Sequence, residues 1–401
     1  MSPCLKTIVR IPCLLLLLHL PYTSQGYIKL SDRAEISLLT IAPGDELYSA
    51  FGHSGLRVFD PEQGLDTVYN YGTFDFGDVS EWVFYLNFVK GKLNYRLDNE
   101  SFRRFERVYH YYRRTYTMQQ LDLTPAQCQR VYDFLVHNNL PENRVYAYDF
   151  FYDNCATRIR DLLVYVLGDT LRLDQPTAKG SYSFREMLNL YLTDRHWAGA
   201  GINLALGMRV DHPVTHAEQM FHPDYLAQQL GKAQILRNGT YRPLVKEQRE
   251  LYRGVPAQPD KLPHPLWIWS AIAVVAVFFS LIHFSKARPR YIGDGILFVL
   301  AGLSGLILLL LWVATSHKPT AYNLNIAWLL PTHLLAGIWL LRRKRPAWLQ
   351  YYFLGAAGVI VALVLSWIWL PQALPVVYLP LMLALALRSW VLSQKLSGGT
   401  K

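Results

Sequence analysis

The chain has 401 residues, 51% of them apolar and 17% charged, with a formal net charge of +10, which is length enough for more than one domain. Residues 261–401 hold twelve Lys/Arg against Asp294 alone, Lys6 and Arg10 add two more at the start, and residues 27–260 are left at −3. The basicity therefore belongs to a strongly apolar C-terminal half and leaves no footprint for DNA or RNA.

Lys6 and Arg10 precede the apolar run Ile11–Leu20 and a small-residue stretch ending at Gly26, the pattern of a secretory signal cleaved after Gly26. Cys4 and Cys13 leave with it and no lipobox is present. The mature chain keeps Cys128 and Cys155, too few for a disulfide scaffold. Glu35–Ala42 reads as a strand closed by Pro43 and Gly44; Gly52–Phe59 and Asp66–Tyr71 read as the next two. Ser80–Val89 reads as a short helix, and Lys92–Leu97 and Val108–Leu121 as strands dense in tyrosine and arginine. Thr124 caps a helix in which Cys128 is a packing residue. A second helix runs from Cys155 to Leu167, capped by Asp153 or Asn154, with Ile159, Leu162, Leu163 and Val166 on one face. Ser181–Leu192 is a further helix. The stretch Asp211–His222 holds three histidines and two acids but no tight ligand spacing, so it reads as a helix start or loop, with no metal or cofactor expected. Asn238-Gly239 marks a hairpin, and the proline-rich stretch 255–265 is a linker. The expected fold class is α+β for residues 27–260, an antiparallel sheet with helices to one side.

From Pro265 onward five apolar stretches are long enough to cross a bilayer, near 266–284, 292–314, 322–341, 351–370 and 374–392. Lys286, Arg288 and Arg290 follow the first, Arg342 to Arg345 follow the third, and Arg388, Lys395 and Lys401 close the chain; the intervening loops hold only Lys318. The positive-inside rule makes these basic segments cytoplasmic and residues 27–260 periplasmic, the orientation the signal also demands. The outer end of the third span carries Asn323, Asn325, Pro331 and His333, costly in hydrocarbon unless they face protein, water or a head group. Helix–helix hydrogen bonding and lipid contact are equal readings of them.

Cys155 in the first turn of its helix feels the positive end of the dipole and unpaired backbone N–H groups, which favour the thiolate that attacks acyl carbonyls. A small buried hydrophobe is the ordinary role of such a cysteine. His53, opening a strand behind Gly52, supplies a base for the pair. Asn70 on the adjacent strand is the candidate to orient the imidazole, with Tyr48, Tyr69 and Tyr71 behind it. The Cys155 backbone N–H, with the Asn154 side chain as either helix cap or oxyanion donor, completes the constellation.

The stretches around His53 (Gly52–Val58), Asn70 (Tyr69–Phe76) and Cys155 (Asn154–Leu163) resemble the papain-like hydrolase and acyltransferase superfamily in its permuted (NlpC/LRAT-like) form, where the histidine precedes the cysteine. The Asn154-Cys155 pair is similar to that of the lecithin–retinol acyltransferase relatives, which take acyl groups from phospholipids. A Cys/His domain followed by a membrane domain with Asn323, Asn325, Trp328 and Pro331 resembles more closely still the Lnb family of bacterial lipoprotein N-acyltransferases, typical of Bacteroidetes. This resemblance covers nearly the whole mature chain. It implies an inner-membrane enzyme that moves a fatty acyl chain from a membrane phospholipid through a Cys155 thioester to the N-terminal amine of diacylglyceryl-cysteine lipoproteins. Tyr48, Tyr71, Asn323, Asn325 and His333 are then candidates for substrate contact. An exported NlpC-type peptidoglycan endopeptidase or a phospholipid or thioester hydrolase would use the same pair, and a non-enzymatic membrane assembly factor would need neither Cys155 nor His53.

Overall fold

The computed structural model describes residues 28–73, 87, 90–92, 94–175, 177, 179–285 and 291–397. The expected signal, nearly all of the expected Ser80–Val89 helix and the charges Lys286, Arg288 and Arg290 lie outside the described residues. β1 (Glu35–Ile41) is apolar on both faces, Ile36 and Leu38 entering one cluster and Leu39 and Ile41 another. That is the pattern of a central strand covered twice. β2 (His53–Asp60), β3 (Leu65–Thr73), β4 (Asn94–Ser101), α1 (Phe102–Tyr111), β5 (Tyr116–Leu121), α2 (Pro125–Asn138), β6 (Val145–Ala147) and α3 (Cys155–Leu167) follow. Next come α4 (Phe184–Leu192), α5 (His196–Ala205), α6 (Pro223–Lys232) and the closing strand β7 (Val245–Tyr252). The strands form one sheet in the order β7-β5-β1-β2-β3-β4-β6, antiparallel throughout.

α3 lays Ile159, Leu162, Leu163 and Val166 on one sheet face, joined by Val131 and Leu135 of α2 and Leu226 and Leu230 of α6. α1 covers the other face with Phe102 and Phe105 against Leu39, Ile41, Val68 and Tyr116. Helices therefore lie on both faces, not on one side only as expected. The expected strand Val108–Leu121 is likewise corrected. Ser101 caps α1 by accepting from the Arg104 N–H, α1 runs to Tyr111, and a turn through Arg113 at φ 50° precedes β5. Tyrosine and valine content suggested a strand; the spacing of Phe102, Phe105 and Tyr109 obeys the helical period, and packing follows the period. Asn238 and Gly239, both at positive φ, close the expected hairpin between Gln234–Arg237 and Thr240–Pro243.

Among the described residues four helices are long and apolar enough to cross a membrane. They are α7 (Pro265–Ser285), α8 (Ile292–Val313), α10 (Trp348–Leu365) and the last, α11 (Leu379–Ser397) with the turn before it; the short α9 (His333–Leu341) lies between α8 and α10. The expected third span, 322–341, is not one helix. α9 has 9 residues, a rise of about 14 Å against a hydrocarbon core of about 30 Å. Residues ahead of it fold as short 3-10 turns, Lys318–Thr320 and Leu324–Ala327. Gly302 and Gly305 of α8 admit this segment: a Cβ on Gly305 would lie 1.6 Å from the Leu329 carbonyl oxygen and one on Gly302 2.0 Å from the Leu334 nitrogen, the close approach that small residues permit between membrane segments.

Asn323, Asn325 and Gln372 join the two halves. The Asn323 Nδ2 donates to the Leu204 and Ala205 carbonyls at 2.7 and 3.1 Å, Asn325 Nδ2 to Leu204 at 3.2 Å, and Gln372 Nε2 to Leu206 at 3.0 Å. They satisfy the orphan carbonyls at the C-terminal end of α5. Arg388, counted among the basic residues that close the chain on the cytoplasmic side, is buried within α11, where it forms a bidentate pair with Asp294 of α8.

Candidate active site

Asn154 ends an extended segment and caps α3. Its Oδ1 accepts from the Ala156 and Thr157 N–H groups, both at 2.9 Å, and its Nδ2 donates to the Phe150 and Phe221 carbonyls at 2.7 and 2.8 Å. Both donor hydrogens and the oxygen are spent, so this side chain is a cap and has no donor left for an oxyanion. Cys155 is thereby fixed at the first helical position, over the ends of β2 and β3. Gly72 at φ 82° lets the chain pass beneath it: a Cβ there would sit 3.7 Å from the Cys155 Cβ, with Tyr146 and Tyr148 alongside. Cys155 is 9% exposed, and both mature cysteines are free.

His53 opens β2, paired with Ile41 of β1. The next residue, Ser54, lies close enough for its backbone N–H to favour the Cys155 thiolate, which puts the thiol one residue along the strand from His53. His53 Nε2 lies 3.2 Å from Asn70 Oδ1, and Asn70 Nδ2 donates to Glu100 Oε1 at 3.2 Å. This chain of contacts fixes the tautomer. A carboxylate only accepts, so the Asn70 amide must turn its NH2 to Glu100 and its oxygen to His53; Nε2 then carries the hydrogen, and Nδ1 is left as the basic lone pair. Gly55 clears the path, since a Cβ there would stand 2.9 Å from Asn70 Oδ1.

Electrostatics correct the expectation of a resting thiolate. Burial pushes the Cys155 thiol up to about 11, against the opposing pull of the Ser54, Ala156 and Cys155 N–H groups and of Arg114. Burial also drives His53 down to about 4, with the Asn70 bond opposing and the Arg114 charge adding to the fall. Both groups are neutral at pH 7, because desolvation outweighs the helix-end field. At rest the site therefore holds a neutral thiol and a neutral imidazole.

The remaining expected residues separate. Tyr71 is buried, its hydroxyl accepting from Asn138 Nδ2 at 2.9 Å, so it packs α2 onto the sheet. Tyr48 is 69% exposed on the loop leading to His53. Asn323 and Asn325 are buried between the halves, their Nδ2 groups donating to the Leu204 carbonyl, and the latter's Oδ1 accepts from the Trp328 indole at 3.0 Å. His333 is buried against Tyr352, whose hydroxyl meets its Nδ1 at 2.7 Å. Asp211 pairs with Arg185 and His222 caps α6, accepting from the Asp224 N–H. Among the described residues no cluster of three or more His, Cys, Asp or Glu could hold a metal ion. Glu100 and Arg114 had no motif to announce them; Glu100 lay past the expected end of its strand, and Arg114 sat inside the segment misread as a strand.

The loop before His53 is tied toward the membrane. Asp45 Oδ1 accepts from the Gln258 N–H at 2.8 Å, and Arg195 donates to the Asp45 carbonyl at 2.7 Å. Gln258 precedes the start of α7 by seven residues, at most about 25 Å of extended chain. Arrangement and fold thus define a class: a membrane protein with an α+β domain that holds a cysteine at a capped helix start beside a histidine on a strand.

Two family models match it, the Lnb N-terminal periplasmic domain over residues 28–188 and the Lnb transmembrane domain over residues 257–396. No curated protein and no solved structure matches the chain. The chain belongs to the Lnb family, as an inner-membrane protein with a periplasmic N-terminal domain and an association with lipoprotein modification.

Proposed function

We propose that the protein is a cysteine-dependent lipoprotein N-acyltransferase. His53 Nδ1 takes the Cys155 proton as the sulfur attacks an ester carbonyl of a membrane phospholipid. The oxyanion is held by backbone N–H groups at Cys155 and Ser54. Collapse expels the lysophospholipid alkoxide, which receives the proton from His53, and leaves an acyl thioester on Cys155. The α-amine of a diacylglyceryl-cysteine lipoprotein then attacks the thioester, its surplus proton passes to His53, and collapse releases the amide and the thiol. Donor and acceptor both lie in the outer leaflet of the inner membrane, so anchoring the thiol there converts two encounters in bulk into encounters in one surface. The signal pattern and the basic loops support a cytoplasmic C-terminus.

The observation that carries this reading is the oriented His53–Asn70 pair beside the capped Cys155 in a chain of this family. Mass spectrometry of a reporter lipoprotein's N-terminus, in cells whose only copy carries Cys155→Ser, tests it. The expected result is a diacylated reporter with a free amine. An N-acylated reporter contradicts the reading; normal N-acylation with altered muropeptides would assign the chain to wall hydrolysis, and no change in either would leave an assembly role.

A further inference from the structure

Arg114 is a half-buried guanidinium beside the proposed nucleophile and base. Its Nε and Nη2 both donate to the Ala42 carbonyl, at 2.9 and 2.7 Å. Ala42 follows Ile41, the strand partner of His53, so the guanidinium is held at the backbone next to the residue that faces the base across the sheet. Its charge is felt by Cys155 and His53 alike.

Among the described residues no carboxylate lies within ion-pair distance of Arg114. Arg57, Arg158, Arg185 and Arg388 each meet an aspartate, whereas Arg114, like the buried Arg195 that donates to the Asp45 carbonyl, gives its hydrogen bonds to the backbone. The neighbours of Arg114 are phenols, with Tyr109 beneath it at 5.3 Å and Tyr48 close enough to feel its charge. Desolvating a cation without an anion is costly, and the unspent Nη1 is a donor awaiting an acceptor. Around it stands a rim of exposed Leu47, Tyr48, Tyr111 and Tyr112. Amphipathic rings of this kind sit at head-group depth; Leu47 and Tyr48 belong to the loop that Asp45 ties to Gln258, and Tyr111 and Tyr112 end α1.

We propose that Arg114 is the phosphate-binding residue of the site, taking the anionic phosphodiester of the acyl donor while its ester carbonyl meets Cys155. This rests on the acyltransfer reading. In a glycerophospholipid the ester carbonyl and the phosphate are only a few bonds apart, which suits a cation held beside the strand partner of His53 and felt by both Cys155 and His53. A guanidinium suits the task because its fork binds phosphate oxygens directionally.

The test compares acylation of Cys155 by phosphatidylethanolamine and by 1,2-diacylglycerol of the same chains, in identical detergent micelles, with the full-length protein. The diacylglycerol carries the same esters without the phosphate. For Arg114→Gln the ratio of kcat/KM values, phospholipid over diacylglycerol, should fall by about tenfold to a hundredfold relative to wild type; Arg114→Lys should restore part of it. An unchanged ratio with both donors slowed alike would make Arg114 a clamp on the Ala42 loop or a partner of the thiolate, and would overturn the proposal. Wild-type protein that takes acyl groups from neither donor would overturn the acyltransfer reading itself.

Discussion

His53→Gln lowers the rate of Cys155 acylation by about a hundredfold to ten-thousandfold. The substitution keeps a polar side chain at the start of β2 but removes the basic lone pair, and a neutral thiol near 11 cannot supply its own thiolate at pH 7. The pH profile of the same step is equally diagnostic when read with a chromogenic ester, which needs no amine acceptor. Activity requires neutral His53, so the acid limb should fall with a midpoint near 4 rather than near its usual 6.5. Between pH 5 and 7 the rate should be nearly flat. A limb centred near 6.5 would mean that the imidazole is solvated in the working enzyme; a His53→Gln variant of wild-type rate would remove it from the chemistry.

Arg388→Leu is expected to destabilise the membrane half by about 3–5 kcal/mol. Arg388 donates to both carboxylate oxygens of Asp294 at 2.7 and 2.8 Å, to Ser280 Oγ at 2.8 Å, and meets His283 Nδ1 at 2.8 Å. Removing one partner leaves a buried carboxylate among apolar helices, where its own hydration is unavailable. Replacing both, as Asp294→Leu with Arg388→Met, should recover most of the loss, because the cost lies in the uncompensated charge. Thermal unfolding in detergent, followed for the single and double variants, reads this directly. Equal midpoints for wild type and Arg388→Leu would show that the pair contributes nothing to α7–α8–α11 packing.

Much of the framework was open to a reading of residues alone. The α3 helix announced itself by Asn154 and the period of Ile159, Leu162, Leu163 and Val166. Strands β1 to β3 did so by β-branched content and by turn residues between them. These are local signals, and local signals survive folding. α1 failed because tyrosine propensity spoke for a strand while Phe102, Phe105 and Tyr109 kept helical time. The third span failed because hydropathy averages over a window in which Asn323, Asn325 and Pro331 act individually, as hydrogen-bond donors to α5 and as a break. The resting charge of Cys155 was misjudged for a similar reason: a helix end is visible in the sequence, and the depth at which a thiol is buried is not. Asn70 was accessible as a neighbour on the next strand. Glu100, which turns the Asn70 amide, depends on the register of β3 against β4, and no periodicity reports that.

The most direct measurement is the mass of intact purified protein after incubation with a phospholipid and no amine acceptor. The account predicts an added mass of one fatty acyl group, removed by neutral hydroxylamine, mapped to Cys155 and missing from Cys155→Ser. An unmodified wild-type protein that nonetheless N-acylates a lipopeptide when one is added would contradict it, since the acyl group would then never have rested on the sulfur.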